Sequence, residues 1–346
     1  MSELNTVGHQ DWPTQTRHDD ALTVIMPSAA SRVGLARRAL RSLEAANVAW
    51  PIIIGDFSGP TERLALRALA KQFRSLDITL VEQLPHQHML ERIADCADQA
   101  RTPYALVHAD DDFLVASAAE RCVDVLLGNP SLAAVKGQIS FCSINDKGAL
   151  VANINEGHSC DADKAYTRVL RQVAAFSPTF HALHRTEVLA DVSRKALAMG
   201  DNVVFWQYLA SVWTVAAGAM VAIDDLFYIR DDNPSGTRAH LIDSKDFSHW
   251  PYLVVASDFS AQLAKFNGIV TDILSTANVD QHEVELSVRE VSMWLVRRGL
   301  GGPAPQPKSP AEQRLKQALA KPGSLEHRLF SFAGESIRAY RAAHPA

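Results

Sequence analysis

Short apolar runs alternate with segments of helical periodicity through the first third of the chain. Four of these runs predict strands, at residues 22–26, 51–54, 77–81 and 104–107, and the runs at 51–54 and 104–107 predict buried ones. Apolar side chains recur at helical spacing between the runs, at residues 33–43, 61–73 and 89–100. Strands that alternate with helices favour an α/β fold, with a mostly parallel Rossmann-type sheet and right-handed connections.

The fourth predicted strand runs directly into three consecutive carboxylates, Asp110, Asp111 and Asp112. Like charges crowded at the end of a buried strand cost free energy, because they repel one another and lose their hydration. A hard cation such as Mg²⁺ or Mn²⁺ would offset that cost, since it prefers oxygen ligands. Ligands of open α/β sheets bind beyond the carboxyl ends of the strands. The cluster therefore predicts a metal site; the alternative is a solvated loop that caps a helix at residues 115–127.

Composition and charge narrow the class of protein. The chain has 346 residues, 47% of them hydrophobic and 21% charged, which is ordinary for a soluble globular protein. A formal charge of −5 gives no reason to expect a nucleic-acid partner. The four cysteines form no C-x-x-C pair, so we expect reduced thiols in a cytoplasm rather than structural zinc. Neither G-x-G-x-x-G nor a P-loop motif is present.

Residues 203–223 carry no charge and are numerous enough to cross a bilayer. Polar side chains interrupt the stretch and aspartates flank it, so a buried helix at 203–213, a break at Gly218 and a buried strand at 219–223 are expected instead. No transmembrane span is therefore predicted. The N-terminal residues are polar and do not read as a signal peptide.

The rest of the chain predicts further strands and helices. Strands are expected at 133–142 and 177–184, and helices at 166–174, 186–198, 249–298 and 311–320. Residues 233–236 read as a loop. The predicted division is a polar N-terminal segment (1–21), an α/β domain (22–245), a helical extension (246–300), and a linker with C-terminal helices (301–346).

Residues 22–114 resemble the family-2 glycosyltransferases of the GT-A fold, in the order and spacing of three motifs. These are Val24-Ile-Met-Pro27 with Arg32, Ile52-Ile-Ile-Gly-Asp56 with Ser58, and Thr102-Pro-Tyr-Ala-Leu-Val-His-Ala-Asp-Asp-Asp-Phe-Leu114. The resemblance extends more loosely to Asp232. It implies a metal-dependent, inverting transfer of a sugar from a nucleoside-diphosphate donor to an acceptor hydroxyl, in surface polysaccharide or glycoconjugate synthesis.

The resemblance also implies residue roles. Pro27, Ser28, Arg32 and Asp56 would contact the donor nucleotide, while Asp110 and Asp112 would contact the ribose and the Mn²⁺ or Mg²⁺ ion. This chain departs from the family at the second motif, where Gly55 precedes Asp56 and Phe57 replaces a glycine. A helix-capping or turn role for Asp56 is therefore the alternative to recognition of the base.

Three residues nearer the C-terminus complete the predicted site. Asp201 stands where the family carries its general base, although an aspartate before an apolar helical run is also a common N-cap. Arg238 would bind donor phosphate oxygens and His240 the metal, on a loop that closes over the diphosphate. The family's Q-x-x-R-W motif is absent there, so a solvated loop is the alternative. His181 and His184 lie on a predicted strand and would face opposite sides, which argues against a shared metal.

Two other functions are compatible with the same sequence. One is a nucleotidyltransferase on a similar sheet, which would need a basic, glycine-rich loop after the first strand. The other is a non-catalytic subunit that binds a sugar nucleotide and docks a partner through its helical tail. The expected partners of the transferase are a sugar nucleotide and a carbohydrate or glycolipid acceptor, with a homo-oligomer through the C-terminal helices. The expected location is the cytoplasm or the periphery of the inner membrane.

Overall fold

The computed structural model describes residues 18–60, 62–144, 150–155, 157–176, 178–200, 203–231, 258–277, 279–299 and 310–343. Its strands are β1 (Leu22–Ser28), β2 (Ile52–Asp56), β3 (Ile78–Glu82), β4 (Tyr104–Val107), β5 (Phe113–Leu114), β6 (Leu132–Ile144), β7 (Leu150–Asn155), β8 (Leu183–Arg185) and β9 (Ala219–Asp231). Its α-helices are α1 (Val33–Ala45), α2 (Leu64–Ala70), α3 (Met89–Gln99), α4 (Ala116–Gly128), α5 (Ala165–Ala174), α6 (Thr186–Ala196), α7 (Val203–Ala217), α8 (Phe259–Thr276), α9 (Gln281–Gly299), α10 (Pro310–Ala320) and α11 (Leu325–Ala343).

One sheet joins all of these strands, in the order β3-β2-β1-β4-β8-β6-β9-β5, with β7 paired to β6. The first four strands of that order are parallel to one another. Beyond β4 the sheet is mixed, because β8 pairs antiparallel with both β4 and β6 while β9 runs parallel to β6. The predicted α/β class with a helical C-terminal part is confirmed.

Each face of the sheet carries its own hydrophobic core. Along β1, Val24 and Met26 point into a core formed with α1, α2, α4, α10 and α11. Ile25 points into the opposite core, formed with α3, α5, α6, α7, α8 and α9. A strand buried on both faces is apolar at most of its positions, which is why residues 22–26 of β1 read as a nearly continuous apolar run rather than an alternating one.

The uncharged stretch forms a buried helix and a strand, as predicted, but both are longer than expected. Helix α7 continues to Ala217, and β9 continues from Ala219 to Asp231. Gly218 separates them, and a Cβ there would lie 2.8 Å from the carbonyl oxygen of Ser131. Among the helices in the described part of the chain, none has the length and apolarity that crossing a bilayer requires.

The strand predicted at 177–184 is wrong except at its end, since β8 begins only at Leu183. The preceding segment turns instead: Ala182 donates its N–H to the Thr179 carbonyl, and the Thr179 hydroxyl contacts Ser211 and Thr214 of α7. Tertiary hydrogen bonds with α7 thus replace the strand ladder. Within the range 249–298, predicted as one helix, the described residues form two helices, α8 and α9, and residues 249–257 lie outside the described part. A further helix, α11, follows α10. The predicted domain boundaries at 245 and 300 fall outside the described residues.

Candidate active site

The carboxyl ends of β1 and β4 lie side by side, and this brings Asp110 against Ser28 and Arg32. The Ser28 hydroxyl donates a hydrogen bond to Asp110 Oδ2 at 2.6 Å. Arg32 donates to the same carboxylate from Nε at 2.9 Å and from Nη2 at 2.6 Å. Asp110 is only 2% exposed, and burial raises its pKa, an effect that Arg32 and Ser28 oppose. These three predicted residues therefore form one polar cluster.

The other two carboxylates of the acidic segment have different surroundings. Asp111 Oδ2 lies 3.0 Å from Arg32 Nη2, and its side chain is 17% exposed. Asp112 is buried and accepts the backbone N–H of Asp231 at Oδ1, 3.0 Å away. Its Oδ2 lies 3.5 Å from Arg230 Nε. Burial raises the pKa of Asp112 above its ordinary range, and the positive charge of Arg230 opposes that rise.

Within the part of the chain that the structure describes, no group of three histidine, cysteine or acidic side chains converges as a complete metal site. The oxygens of Asp110 are engaged by Arg32 and Ser28, whereas Asp112 Oδ2 is buried and accepts no hydrogen bond from the described residues. A buried carboxylate oxygen in that state fits a hard cation, which would supply the missing partner. Of the three residues in the acidic segment, Asp110–Asp112, Asp112 is therefore the first candidate for a metal ligand.

Asp56 ends β2, beside Ser28 on β1. It is buried, and its Oδ1 accepts the N–H of Ser58 at 2.9 Å. The turn role considered for Asp56 is therefore present in the structure, and it leaves the second carboxylate oxygen for another donor. Gly55 fits this position because a Cβ there would lie 2.5 Å from Gln83 Oε1. Pro27 pairs with Gly55 in the sheet, so the predicted nucleotide contacts share one edge.

Four residues at this edge were not predicted as site residues: His108, His181, Tyr228 and Arg230. The N–H of Ala109 donates to the Tyr228 hydroxyl at 2.9 Å. His181 stacks on the Tyr228 ring at 4.5 Å between centroids, and His108 meets that ring edge-on at 5.5 Å. The one signal in the sequence is the period-two spacing of Tyr228 and Arg230 on β9.

Burial keeps both imidazoles of this group uncharged at neutral pH. It lowers the pKa of His108 to about 4 and the pKa of His181 well below its ordinary value. His181 and His184 have separate surroundings, since His184 contacts Thr214 on α7. Arg230 is 39% exposed and its guanidinium lies 5.4 Å from the Phe141 ring centroid. It is therefore a cation within reach of a ligand that enters beside Asp112.

The remaining predicted residues, Asp201, Arg238 and His240, lie outside the described residues. In the chain, Asp201 comes just before α7, and Arg238 and His240 come after the last residue of β9. Their assignment as base, phosphate contact and metal ligand stays a prediction.

No family model matches the chain, and no curated protein matches it. Among solved structures, residues 1–349 of S. aureus TarS in complex with UDP-GlcNAc superpose with a TM-score of 0.52 at 12% identity, covering 94% of this chain and 91% of that one. A longer S. aureus TarS structure gives a TM-score of 0.49 at 12% identity and covers 94% of this chain. This chain spans about half, 49%, of that longer TarS chain. Mannosyltransferase PcManGT from Pyrobaculum calidifontis, in complex with GDP-Man and Mn²⁺, gives 0.42 at 14% identity, covering 96% and 90%. The superposition with TarS residues 1–349 confirms the GT-A-like fold expected from the motifs.

Proposed function

We propose that this protein is a glycosyltransferase that moves a sugar from a nucleoside-diphosphate donor to an acceptor hydroxyl. The observation that carries the proposal is the buried cluster of Ser28, Arg32 and Asp110 at the carboxyl ends of β1 and β4. In a GT-A-like sheet this edge is where a ligand binds. The similar structure of TarS residues 1–349 contains UDP-GlcNAc, which supports a sugar nucleotide as the ligand class.

The nucleotide would lie across the ends of β1 and β2. Pro27 and Ser28 offer small side chains beside the sheet edge, and Asp56 has a carboxylate oxygen available to a base N–H. Arg32 would orient Asp110 toward the ribose, because its planar guanidinium contacts the carboxylate through two nitrogens. These contacts bind and orient the donor; none of them takes part in bond making.

The diphosphate would lie beside Asp112 and Arg230. We propose that Asp112, with Asp110 and His240, holds a Mn²⁺ or Mg²⁺ ion, which neutralises charge on the leaving nucleoside diphosphate when bound. Arg230 is close enough to Asp112 to contact the same phosphate oxygens, and Arg238 would add a second cation. The uncharged His108 and His181 add no positive charge that would compete for those oxygens.

An inverting transfer needs a group that takes the acceptor proton on the face of the sugar opposite the leaving group. Asp201 is proposed for that role. Its place two residues before the start of α7 matches the position of the base in the family that the motifs resemble. The acceptor would be a carbohydrate or a glycolipid, in surface polysaccharide or glycoconjugate synthesis, with the protein in the cytoplasm or at the periphery of the inner membrane.

The binding experiment is calorimetric titration of the whole chain with UDP, GDP and a panel of sugar nucleotides, with Mn²⁺ and with EDTA. Asp110→Asn and Asp112→Asn should each abolish metal-dependent binding. Asp161→Asn is the matched control, because Asp161 belongs to a second Asp-x-Asp but its carboxylate is exposed and pairs with Arg171 at 3.3 Å. Equal effects at Asp112 and Asp161, or no binding of any nucleotide by the wild type, would contradict the proposal.

A further inference from the structure

Asp231, the last residue of β9, is a fully buried carboxylate held by two arginines from distant parts of the chain. Arg38 Nη1, from α1, lies 2.8 Å from Asp231 Oδ2. Arg341 Nη2, from α11, lies 3.5 Å from Asp231 Oδ1. The Asp231 side chain is 0% exposed. A charge this deeply buried is stable only with charged partners, so the two arginines and the carboxylate depend on one another.

Two of these three residues, Asp231 and Arg38, also contact the acidic segment Asp110–Asp112 of the candidate active site. The backbone N–H of Asp231 donates to Asp112 Oδ1 at 3.0 Å. Arg38 also donates, through Nη2, to the carbonyl oxygen of Asp111. Asp112 and Asp231 are therefore joined directly through one hydrogen bond and indirectly through Arg38.

Helix α11 adds aromatic contacts to this connection. The Arg38 guanidinium lies over two rings, 5.1 Å from the centroid of Phe113 and 5.4 Å from that of Tyr340. Phe332, also on α11, meets the Phe113 ring edge-on at 6.2 Å. Phe113 directly follows Asp112, so α11 packs beside the acidic segment through Phe332 and reaches it indirectly through Arg341 and Asp231.

We propose that Asp231 is a positioning residue, through which helix α11 and Arg38 fix the backbone of the acidic segment and the direction of Asp112. The consequence for donor binding rests on the proposed function, whereas the positioning itself does not. The C-terminal helix, which lies outside the residues that carry the glycosyltransferase motifs (22–114), is then a structural component of the donor site.

The test compares Arg341→Gln with Arg338→Gln in the full chain without ligand. Arg338 lies on α11 and is exposed, so its variant removes the same charge from the same helix without touching Asp231. Arg341 is 30% exposed, and its loss should leave the fold intact. The readout is amide hydrogen exchange of residues 110–114, which includes the Asp112 N–H bonded to Ala109 O at 3.2 Å.

We expect exchange in residues 110–114 to be about tenfold faster in Arg341→Gln, the size expected from losing one charge-assisted contact, and unchanged in Arg338→Gln. Arg341→Lys should recover part of the protection because it keeps the charge. Wild-type exchange in Arg341→Gln would overturn the proposal. So would equal acceleration in both variants, since it would indicate general loosening of α11.

A second readout follows the donor site itself. The dissociation constant of UDP or GDP with Mn²⁺ should rise about tenfold in Arg341→Gln with little change in kcat, because the contact acts on binding rather than on chemistry. If the wild type binds no nucleotide, the proposed function fails while the exchange experiment still decides the positioning role. If the wild type binds and Arg341→Gln binds equally well, the positioning role fails and the proposed function stands.

Discussion

Arg32 and Asp110 meet through two guanidinium nitrogens, although 78 residues separate them in the chain. One lies in the short turn after β1 and the other just beyond β4, so their pairing joins the two loops that border the candidate donor site. The carboxylate is almost completely buried, whereas the Arg32 side chain is 23% exposed. Loss of the partner would therefore cost more free energy for the Asp110 carboxylate than for the Arg32 guanidinium, which water can still reach.

Arg32→Gln should lower the free energy of unfolding at pH 7 by about 2–3 kcal/mol, because it leaves a buried carboxylate without its counter-charge. Urea unfolding followed by circular dichroism measures the change. Arg314→Gln is the control, since Arg314 pairs with Asp224 where both side chains are more than half exposed. That change should cost no more than about 1 kcal/mol. Similar losses of unfolding free energy in the two variants would contradict the expectation that the buried Arg32–Asp110 pair stabilises the fold more than the exposed Arg314–Asp224 pair does.

Gly137→Ala should destabilise the sheet by about 1–3 kcal/mol through overpacking. A Cβ at this position on β6 would lie 2.4 Å from the Phe227 Cβ and 2.6 Å from the Asp225 carbonyl oxygen. Gly128→Ala is the matched control, because a Cβ there meets no atom within 4 Å of the described residues. It should be neutral or slightly stabilising, since alanine restricts the unfolded chain. Thermal unfolding of both variants checks the pair, and a harmless Gly137→Ala would contradict the close approach of β6 and β9.

Stability should fall between pH 6.5 and pH 4, in part through His184. Burial lowers its pKa to about 4, although the hydrogen bond to the Ala182 carbonyl opposes this. The unfolded chain binds the proton near the ordinary pKa of 6.5, so protonation favours unfolding over this range. The contribution of this group is complete above pH 6.5, and about 2 kcal/mol of it is lost by pH 5.

The test is the difference in unfolding free energy between pH 7 and pH 5. That difference should be about 2 kcal/mol smaller in His184→Gln than in the wild type. His282→Gln, at an exposed position on α9, should leave it unchanged. An identical pH dependence in the wild type and His184→Gln would show that this imidazole does not titrate as its burial requires.

Asp201→Asn separates catalysis from helix capping, because asparagine caps a helix nearly as well as aspartate but cannot take a proton. We expect an unchanged melting temperature, unchanged affinity for the donor, and a transfer rate lowered by about 10²–10⁴-fold. The rate is measured by product analysis with the donor that the binding panel identifies. Transfer at the wild-type rate would leave Asp201 as a cap and place the base elsewhere.

Local sequence predicted the parallel half of the sheet well. Strands β1, β2 and β4 are short apolar runs ended by proline, glycine or acidic residues, and burial on both faces requires that composition. The break at Gly218 was also predictable from local sequence, because a glycine often interrupts an apolar run. The segment before β8 was not, because hydrogen bonds from Thr179 to residues of α7 decide its path, and these partners are more than thirty residues away.

The candidate site also contains residues that local sequence predicts and residues that only tertiary contacts reveal. Motif spacing identified Ser28, Arg32, Asp56 and Asp110, which the structure brings to one edge of the sheet. Asp231 and Arg341 escaped notice because each is an ordinary surface-type residue in the sequence. Their role depends on a contact between the end of β9 and the last helix, which no local pattern contains.

The four cysteines divide evenly between the two cores, Cys122 and Cys142 on one face of the sheet and Cys96 and Cys160 on the other. All four are free thiols, and burial raises the pKa of each; Cys96 and Cys142 reach about 12 and Cys160 about 11. A buried thiol of this kind reacts with an alkylating reagent only when the structure around it opens. Pulsed alkylation followed by mass spectrometry would therefore time the opening of each face separately, using reporters that the native chain already carries.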